Sequence, residues 1–172
     1  MSENRQNSDG TPGIFAPMKE STFRVSPLPG DFVREIRSTR RDRRGNEVSV
    51  RSDPERHQCR SCLRLTEPGE RHLLLSYTPF ASDQPYAETG PIFIHERECE
   101  PYAATGSYPP EFPHHDVALR AYTGKNEIAD ARLVGPDRVE DVIAGLLADD
   151  RVSYIHARNG GYGCYMFQID RA

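Results

Sequence analysis

Tryptophan is absent from this chain of 172 residues, lysine occurs only twice, and hydrophobic residues make up no more than 36%. That share is below the roughly 45–50% of ordinary globular chains, even with glycine counted. No long apolar run exists. Residues 73–75 and 142–148 are core-sized, far short of the roughly 18 residues of a membrane span. The first ten residues, MSENRQNSDG, hold no apolar stretch, which argues against a secretory signal. Also missing are a P-loop, a GxGxxG turn, a GxSxG elbow and an HExxH helix. Nucleotide hydrolysis, dinucleotide binding, serine hydrolysis and zincin chemistry lose their usual markers. Coiled coil, collagen and repeat architectures have no supporting period.

What is present points to one domain of ordinary size. Fourteen prolines and thirteen glycines favour many short elements. Residues 1–20 are polar and punctuated by Gly, Ser, Asn and Pro, and read as a disordered tail before a domain over 21–172. Thr22–Ser26 alternates like a strand, and Phe32, Val33 and Ile36 mark a short helix behind a Pro-Gly-Asp start. Strand-like segments follow at 47–51, 73–77 and 92–94. Residues 117–123 and 127–134 flank the turn Thr123-Gly124-Lys125-Asn126 and read as a hairpin. A helix is predicted from Pro136 to about Ala148, because Val139, Val142, Ile143, Leu146 and Leu147 form one stripe and Pro136 suits its first turn. Segments 152–157 and 164–169 then flank a glycine-rich loop. The C-terminal half is β-β-α-β-β. The expected architecture is α+β, a mostly antiparallel sheet with two helices packed on it.

The net charge of −4 is unevenly spread. Residues 1–60 carry 12 basic and 9 acidic side chains, residues 61–172 carry 10 and 17. The run Arg37 to Arg44 (RSTRRDRR) is the only hint of a nucleic-acid or acidic partner. A solvated loop explains it as well, and a dedicated nucleic-acid domain spreads its basic surface further.

Four cysteines, Cys59, Cys62, Cys99 and Cys164, in a chain with no need of disulfides fit a reducing cytoplasm. Cys59 and Cys62 have the spacing that lets two thiolates reach one zinc ion from a turn. His95 and Cys99 supply two further ligands at an x3 spacing, so Cys59, Cys62, His95 and Cys99 form a candidate closed zinc site. The usual turn glycine is missing, and Cys164 and His156 are substitute ligands. A second reading makes Cys59 a reactive thiol, since Arg56 and Arg60 flank it with positive charge. The apolar Trp/Gly/Pro setting of a thioredoxin-like redox pair is not there.

On a strand, Tyr154, His156 and Arg158 share one face and Ile155 and Ala157 the other. Arg120 and Tyr122 share a face in the same way. If those strands are neighbours, Arg120, Tyr122, His156 and Arg158 make a cationic, aromatic pocket suited to an anionic small molecule. Cys164 beside His156 would be a nucleophile and its base. The bland alternative is a half-exposed sheet face. His114-His115 reads as loop surface.

Several blocks in order resemble the bacterial domain-of-unknown-function family numbered 1203. They are Cys59-Arg60, Glu67-Pro68-Gly69-Glu70 leading into Leu73-Leu74-Leu75-Ser76-Tyr77, Pro85-Tyr86 with Gly90-Pro91-Ile92-Phe93, Leu119-Arg120-Ala121-Tyr122, residues 150–157, Asn159 with Gly163-Cys164, and Ile169-Asp170-Arg171. The resemblance covers about residues 22–171. It brings no activity, but it directs attention to Cys59, Arg60, His156, Asn159 and Cys164. The chain departs from the family pattern at Arg158, where histidine is frequent, and at Gly160-Gly161, where larger residues are frequent. Cys62 and Cys99 are not regular members, which favours Cys59 alone or with Cys164.

Three readings follow. The preferred one is a small cytoplasmic enzyme acting on an anionic small molecule. Its catalytic residues would be Cys59, His156 and Cys164, and its substrate-binding residues Arg60, Arg120, Tyr122, Arg158 and Asn159. The second is a zinc-stabilised, non-catalytic interaction module. The third is a non-catalytic domain that binds an anionic ligand on the Arg/Tyr/His face.

Overall fold

In a computed structural model, residues 23–103, 106–111 and 115–172 are described. The tail expected at 1–20 and His114 lie outside them. The elements run β1 (Phe23–Ser26), α1 (Gly30–Thr39), β2 (Ser49–Arg51), β3 (His72–Tyr77), β4 (Gly90–His95), β5 (Val117–Tyr122), β6 (Ile128–Val134), α2 (Val139–Leu147), β7 (Tyr154–Asn159) and β8 (Tyr165–Arg171). The fold is α+β, and its C-terminal half is strand-strand-helix-strand-strand. The strands divide between two antiparallel sheets, ordered β1-β8-β7-β5-β6 and β2-β3-β4.

Side-chain alternation decides what each face of the larger sheet carries. Val117, Leu119 and Ala121 of β5, Ile155 and Ala157 of β7, and Phe167 and Ile169 of β8 are buried in one core with Val139, Ile143, Leu146 and Leu147 of α2. The stripe on α2 is thus the one the sequence shows. Pro136–Arg138 forms a 3-10 turn that leads into the helix rather than its first α-turn, since the proline lacks an N–H but suits a helix start. Each large apolar side chain buried there contributes about 1.5–3 kcal/mol.

A second core joins Phe32, Val33 and Ile36 of α1 to Leu73, Leu75, Ile92 and Ile94 of the small sheet, with Cys59, Cys62 and Tyr165. Tyr165 belongs to β8, so the small sheet meets the large one there. Helix α1 stops at Thr39 because Arg40 turns left-handed (φ 55°) and its N–H caps the Ile36 carbonyl. At the β7–β8 turn, Gly160 N–H donates to the Asp116 carbonyl at 2.8 Å. A Cβ on residue 160 would lie 2.5 Å from that oxygen, so this position requires glycine, whatever the family carries there.

Candidate metal centre

The Cys59–Cys62 turn is shaped by its own backbone. Leu63 N–H donates to the Cys59 carbonyl and Cys59 N–H to the Arg64 carbonyl, each at 2.9 Å. Closing that loop puts Leu63 at φ 54°, a conformation that costs a side-chain-bearing residue energy. Leucine therefore stands where the missing turn glycine was expected. The turn is docked on β4: Cys59 bridges in parallel to Phe93, and Arg60 N–H donates to the Phe93 carbonyl at 2.9 Å. Strand β4 ends at His95, whose backbone N–H points at Cys59 Sγ, 3.4 Å away.

Four donors converge there. Cys62 Sγ lies 3.4 Å from His95 Nδ1, and Cys59 Sγ lies 3.9 Å from Cys99 Sγ. The ligand atoms of Cys59, Cys62, His95 and Cys99 all lie within 4.8 Å of one another. A tetrahedron with zinc bond lengths has S···S edges of about 3.8 Å and S···N edges of about 3.6 Å. The observed spacings match both, so a Cys3His cluster able to hold a metal is present. The substitutes Cys164 and His156 lie elsewhere.

The surroundings of the cluster supply charge and orientation. His95 Nε2 is 3.5 Å from Glu70 Oε2, the carboxylate–histidine arrangement that orients an imidazole ligand through its second nitrogen. Arg37 donates to Cys99 Sγ at 3.3 Å and to the His95 carbonyl at 3.2 Å. The four side chains differ in how firmly they hold a proton. Hydrogen bonds from Cys59 and Cys62 hold the Cys99 thiol well below its ordinary range, with Arg37 and His95 adding to the effect. The Cys62 thiol is pushed up by its bond to Cys59, then by Cys99 and burial. Cys59 is bonded by Cys62 in favour of its thiolate, but Cys99 and burial outweigh that and raise it. His95 is pushed up to about 10, chiefly by its hydrogen bond with Cys62 and then by that with Cys99. His95 and Cys99 border a cleft of about 460 Å³ whose rim includes Glu67, Glu70 and Glu111.

The other candidate residues separate from this centre. Strand β5 pairs with β7, setting Arg120 opposite His156, and Arg158 opposite Tyr165 across β7–β8. The polar row is therefore contiguous, but most of it is covered. His156 and Tyr122 are fully buried. The His156 ring is surrounded by Phe80, Tyr122, Tyr154 and Tyr165 at centroid distances of 5.0, 4.9, 5.1 and 5.2 Å. Burial, and then the Arg158 charge, push its pKa down to about 3, so the ring is neutral at neutral pH. Arg120 and Arg158 both pair with Glu88 Oε2, at 2.9 and 2.8 Å. Asn159 Oδ1 accepts from the N–H groups of Gly161 and Tyr162 and so shapes the hairpin. Arg60 is buried and donates to the carbonyls of Tyr165 and Gln58, a tie between turn and sheet. Cys164 Sγ faces the Tyr162 carbonyl at 3.9 Å. Cys59 and His156 thus sit in different neighbourhoods, the first among sulfurs, the second in an aromatic cage.

The arginine run is used internally. Arg37 serves the cysteine cluster, Arg40 pairs with Glu96 at 3.0 Å, Arg41 reaches the Gly45 carbonyl, Arg43 lies over the Phe32 ring, and Arg44 bonds Thr89. The roles of Glu70, Arg37, Phe80 and Glu88 carry no local sequence signal, because each acts across the fold on a residue at least 25 positions away. No helix among the described residues is long and apolar enough to cross a membrane.

No curated protein and no solved structure matched the chain in comparison. The profile of the family described as "Protein of unknown function (DUF1203)" matches residues 56–171. That span contains all four residues of the Cys3His cluster and the whole Arg120–Arg158 row, and the chain belongs to the DUF1203 family.

Proposed function

We propose that this chain is a zinc-stabilised, non-catalytic binding domain, with Cys59, Cys62, His95 and Cys99 as a structural ion site. The observation that carries this reading is the match of two cross-distances, 3.9 Å for Cys59–Cys99 and 3.4 Å for Cys62–His95, to the edges of a zinc tetrahedron. Four protein ligands leave no open position for water or substrate, which is the mark of structural rather than catalytic zinc. The ion would fasten the 59–62 turn to the end of β4 and to the chain after it. Soft thiolate donors favour zinc over magnesium or calcium, and they suit a reducing compartment such as the cytoplasm. The test is elemental analysis of protein purified under reducing conditions, with thiol alkylation in parallel. One zinc per chain with Cys59, Cys62 and Cys99 protected supports the reading. A metal-free protein with all four cysteines equally reactive refutes it.

A second reading rests on Arg158. Its side chain is buried, and its Nε and Nη2 atoms have no hydrogen-bond partner among the described residues. It lines a cleft of about 300 Å³ with Glu88, Cys164 and Tyr165. Glu88 pairs with Nη1 of the same guanidinium at 2.8 Å, and an anionic small molecule that took its place would meet that nitrogen beside the unpartnered Nη2. Catalysis by a thiol and histidine at this place lacks an accessible base, because His156 is enclosed. Calorimetric titration with inorganic phosphate, repeated on Glu88→Gln and Arg158→Gln, tests this reading. Tighter binding in the first variant and none in the second supports it. Equal affinities in both variants refute it.

A further inference from the structure

Outside the Cys3His cluster, a second set of donors meets near the start of β3. Asp53 Oδ2 lies 3.5 Å from His57 Nε2 and 3.6 Å from His72 Nε2, and the three ligand atoms lie within 4.8 Å of one another. His72 is fully buried. Its Nδ1 lies 2.9 Å from the Glu70 carbonyl oxygen, which can only accept, so Nδ1 carries the ring proton. Nε2 is then the ring nitrogen left to ligate. Both Nε2 atoms are buried and lack a hydrogen-bond partner among the described residues. A carboxylate oxygen and two imidazole nitrogens converge at 3.5 and 3.6 Å, longer than an ordinary hydrogen bond. A divalent cation between the three would satisfy all of them at once.

The groups are held in place independently of any ion. The His57 ring stacks on Phe93 with centroids 4.2 Å apart and an interplanar angle of 21°, and His72 meets the edge of the same ring at 5.5 Å. His57 N–H donates to Thr66 Oγ1, and Gly69 N–H to the Asp53 carbonyl, each at 2.8 Å. The second shell that fixes a ligating histidine is therefore present for His72, with a backbone carbonyl on its far nitrogen. A tetrahedral ion with bonds of about 2.1 Å to nitrogen and oxygen has edges of about 3.4 Å, so the two edges to Asp53 Oδ2, 3.5 and 3.6 Å, are close to that length. The Asp53 and His57 side chains are 38% and 22% exposed, which opens one side to solvent.

We propose that Asp53, His57 and His72 form a second divalent-cation site, of the two-histidine, one-carboxylate type, suited to zinc or another first-row ion with solvent completing its shell. It has three protein ligands against the four of the cysteine cluster, all nitrogen or oxygen, and one open side. It is the weaker and more exchangeable of the two, and it stands or falls independently of the first.

Cobalt(II) titration of the full chain under reducing conditions tests this directly. Two equivalents are expected. The tighter one gives a thiolate-to-cobalt charge-transfer band, and the weaker one binds without adding to that band. Asp53→Asn and His72→Gln are expected to lose the weaker equivalent and keep the band. Because His72 is buried, the isosteric change at half-buried Asp53 guards against misfolding. A single equivalent that carries the charge-transfer band, or an Asp53→Asn variant that binds as many equivalents as the parent, overturns the proposal. Loss of both equivalents in Asp53→Asn with an unchanged circular-dichroism spectrum also overturns it, since the sites would then not be independent.

Discussion

Cys62 Sγ and His95 Nδ1 stand 3.4 Å apart although 33 residues separate them in sequence. The contact exists because the Cys59–Cys62 turn docks on one edge of β4 while His95 ends that same strand. Two thiols on a turn need two further ligands to close a zinc tetrahedron, and the strand delivers one of them without any local spacing motif.

Cys62→Ser is expected to abolish stoichiometric zinc. Structural zinc in isolated finger peptides contributes about 10–16 kcal/mol, but this chain has two apolar cores that persist without the ion. A loss of about 3–5 kcal/mol is expected, which lowers Tm by roughly 10 °C at this chain length. Calorimetry with and without chelator checks it. The parent protein should shift on chelation and the variant should not.

Glu70→Gln removes the charge beside His95 Nε2 but keeps an oxygen for the Glu67 N–H, which now donates to Glu70 Oε2 at 2.9 Å. Loss of such an orienting carboxylate weakens zinc affinity by about 10–100-fold. Competition against a chromophoric chelator should show that loss with stoichiometry unchanged. Equal affinity in the two proteins would mean that His95 is oriented without Glu70.

Leu63→Gly sets two effects against each other. Relief of the left-handed conformation gains about 1–2 kcal/mol. Loss of the buried leucine costs about 2–5 kcal/mol by analogy with large-to-small core changes. Burial wins, and a net destabilisation of about 1–3 kcal/mol is expected in urea unfolding. The zinc content should be unchanged.

His156 gives the stability a pH dependence. Its pKa is pushed down to about 3, first by burial and then by Arg158, whereas an unfolded histidine titrates near 6.5. Below pH 6.5 the unfolded chain therefore takes up a proton that the folded chain refuses. The stability is intact above that pH and is lost at up to about 1.4 kcal/mol per pH unit as pH falls toward 3. His156→Phe, which keeps an aromatic ring in the cage, should flatten this slope between pH 6 and 4 in denaturant titrations. An unchanged slope would place its origin in other groups.

Much of the fold was legible because it follows from local alternation. Leu119 and Ala121, Ile155 and Ala157, and the Val139–Leu147 stripe each declare a buried face, and they share one core. The division into two sheets was not legible, since β3 and β4 alternate as members of a single sheet would. The pair Cys59–Cys62 was legible as a metal motif, and His95 with Cys99 as its complement. The cover over the polar row was not legible, because alternation places Arg120, Tyr122, His156 and Arg158 on one face but says nothing of Phe80 and Glu88 lying over them. Asp53 and His72 escaped notice for a similar reason. They meet because Arg51 of β2 pairs with His72 of β3, which brings the chain just after β2 beside the start of β3.

The most direct measurement of the central claim is zinc per chain in protein purified under reducing conditions and dialysed against a mild chelator, compared with Cys62→Ser prepared in the same way. The account predicts one retained zinc in the parent and none in the variant, with the parent's Cys59, Cys62 and Cys99 slow to alkylate. Equal metal content in the two proteins, or no retained zinc and fast alkylation in the parent, would contradict it.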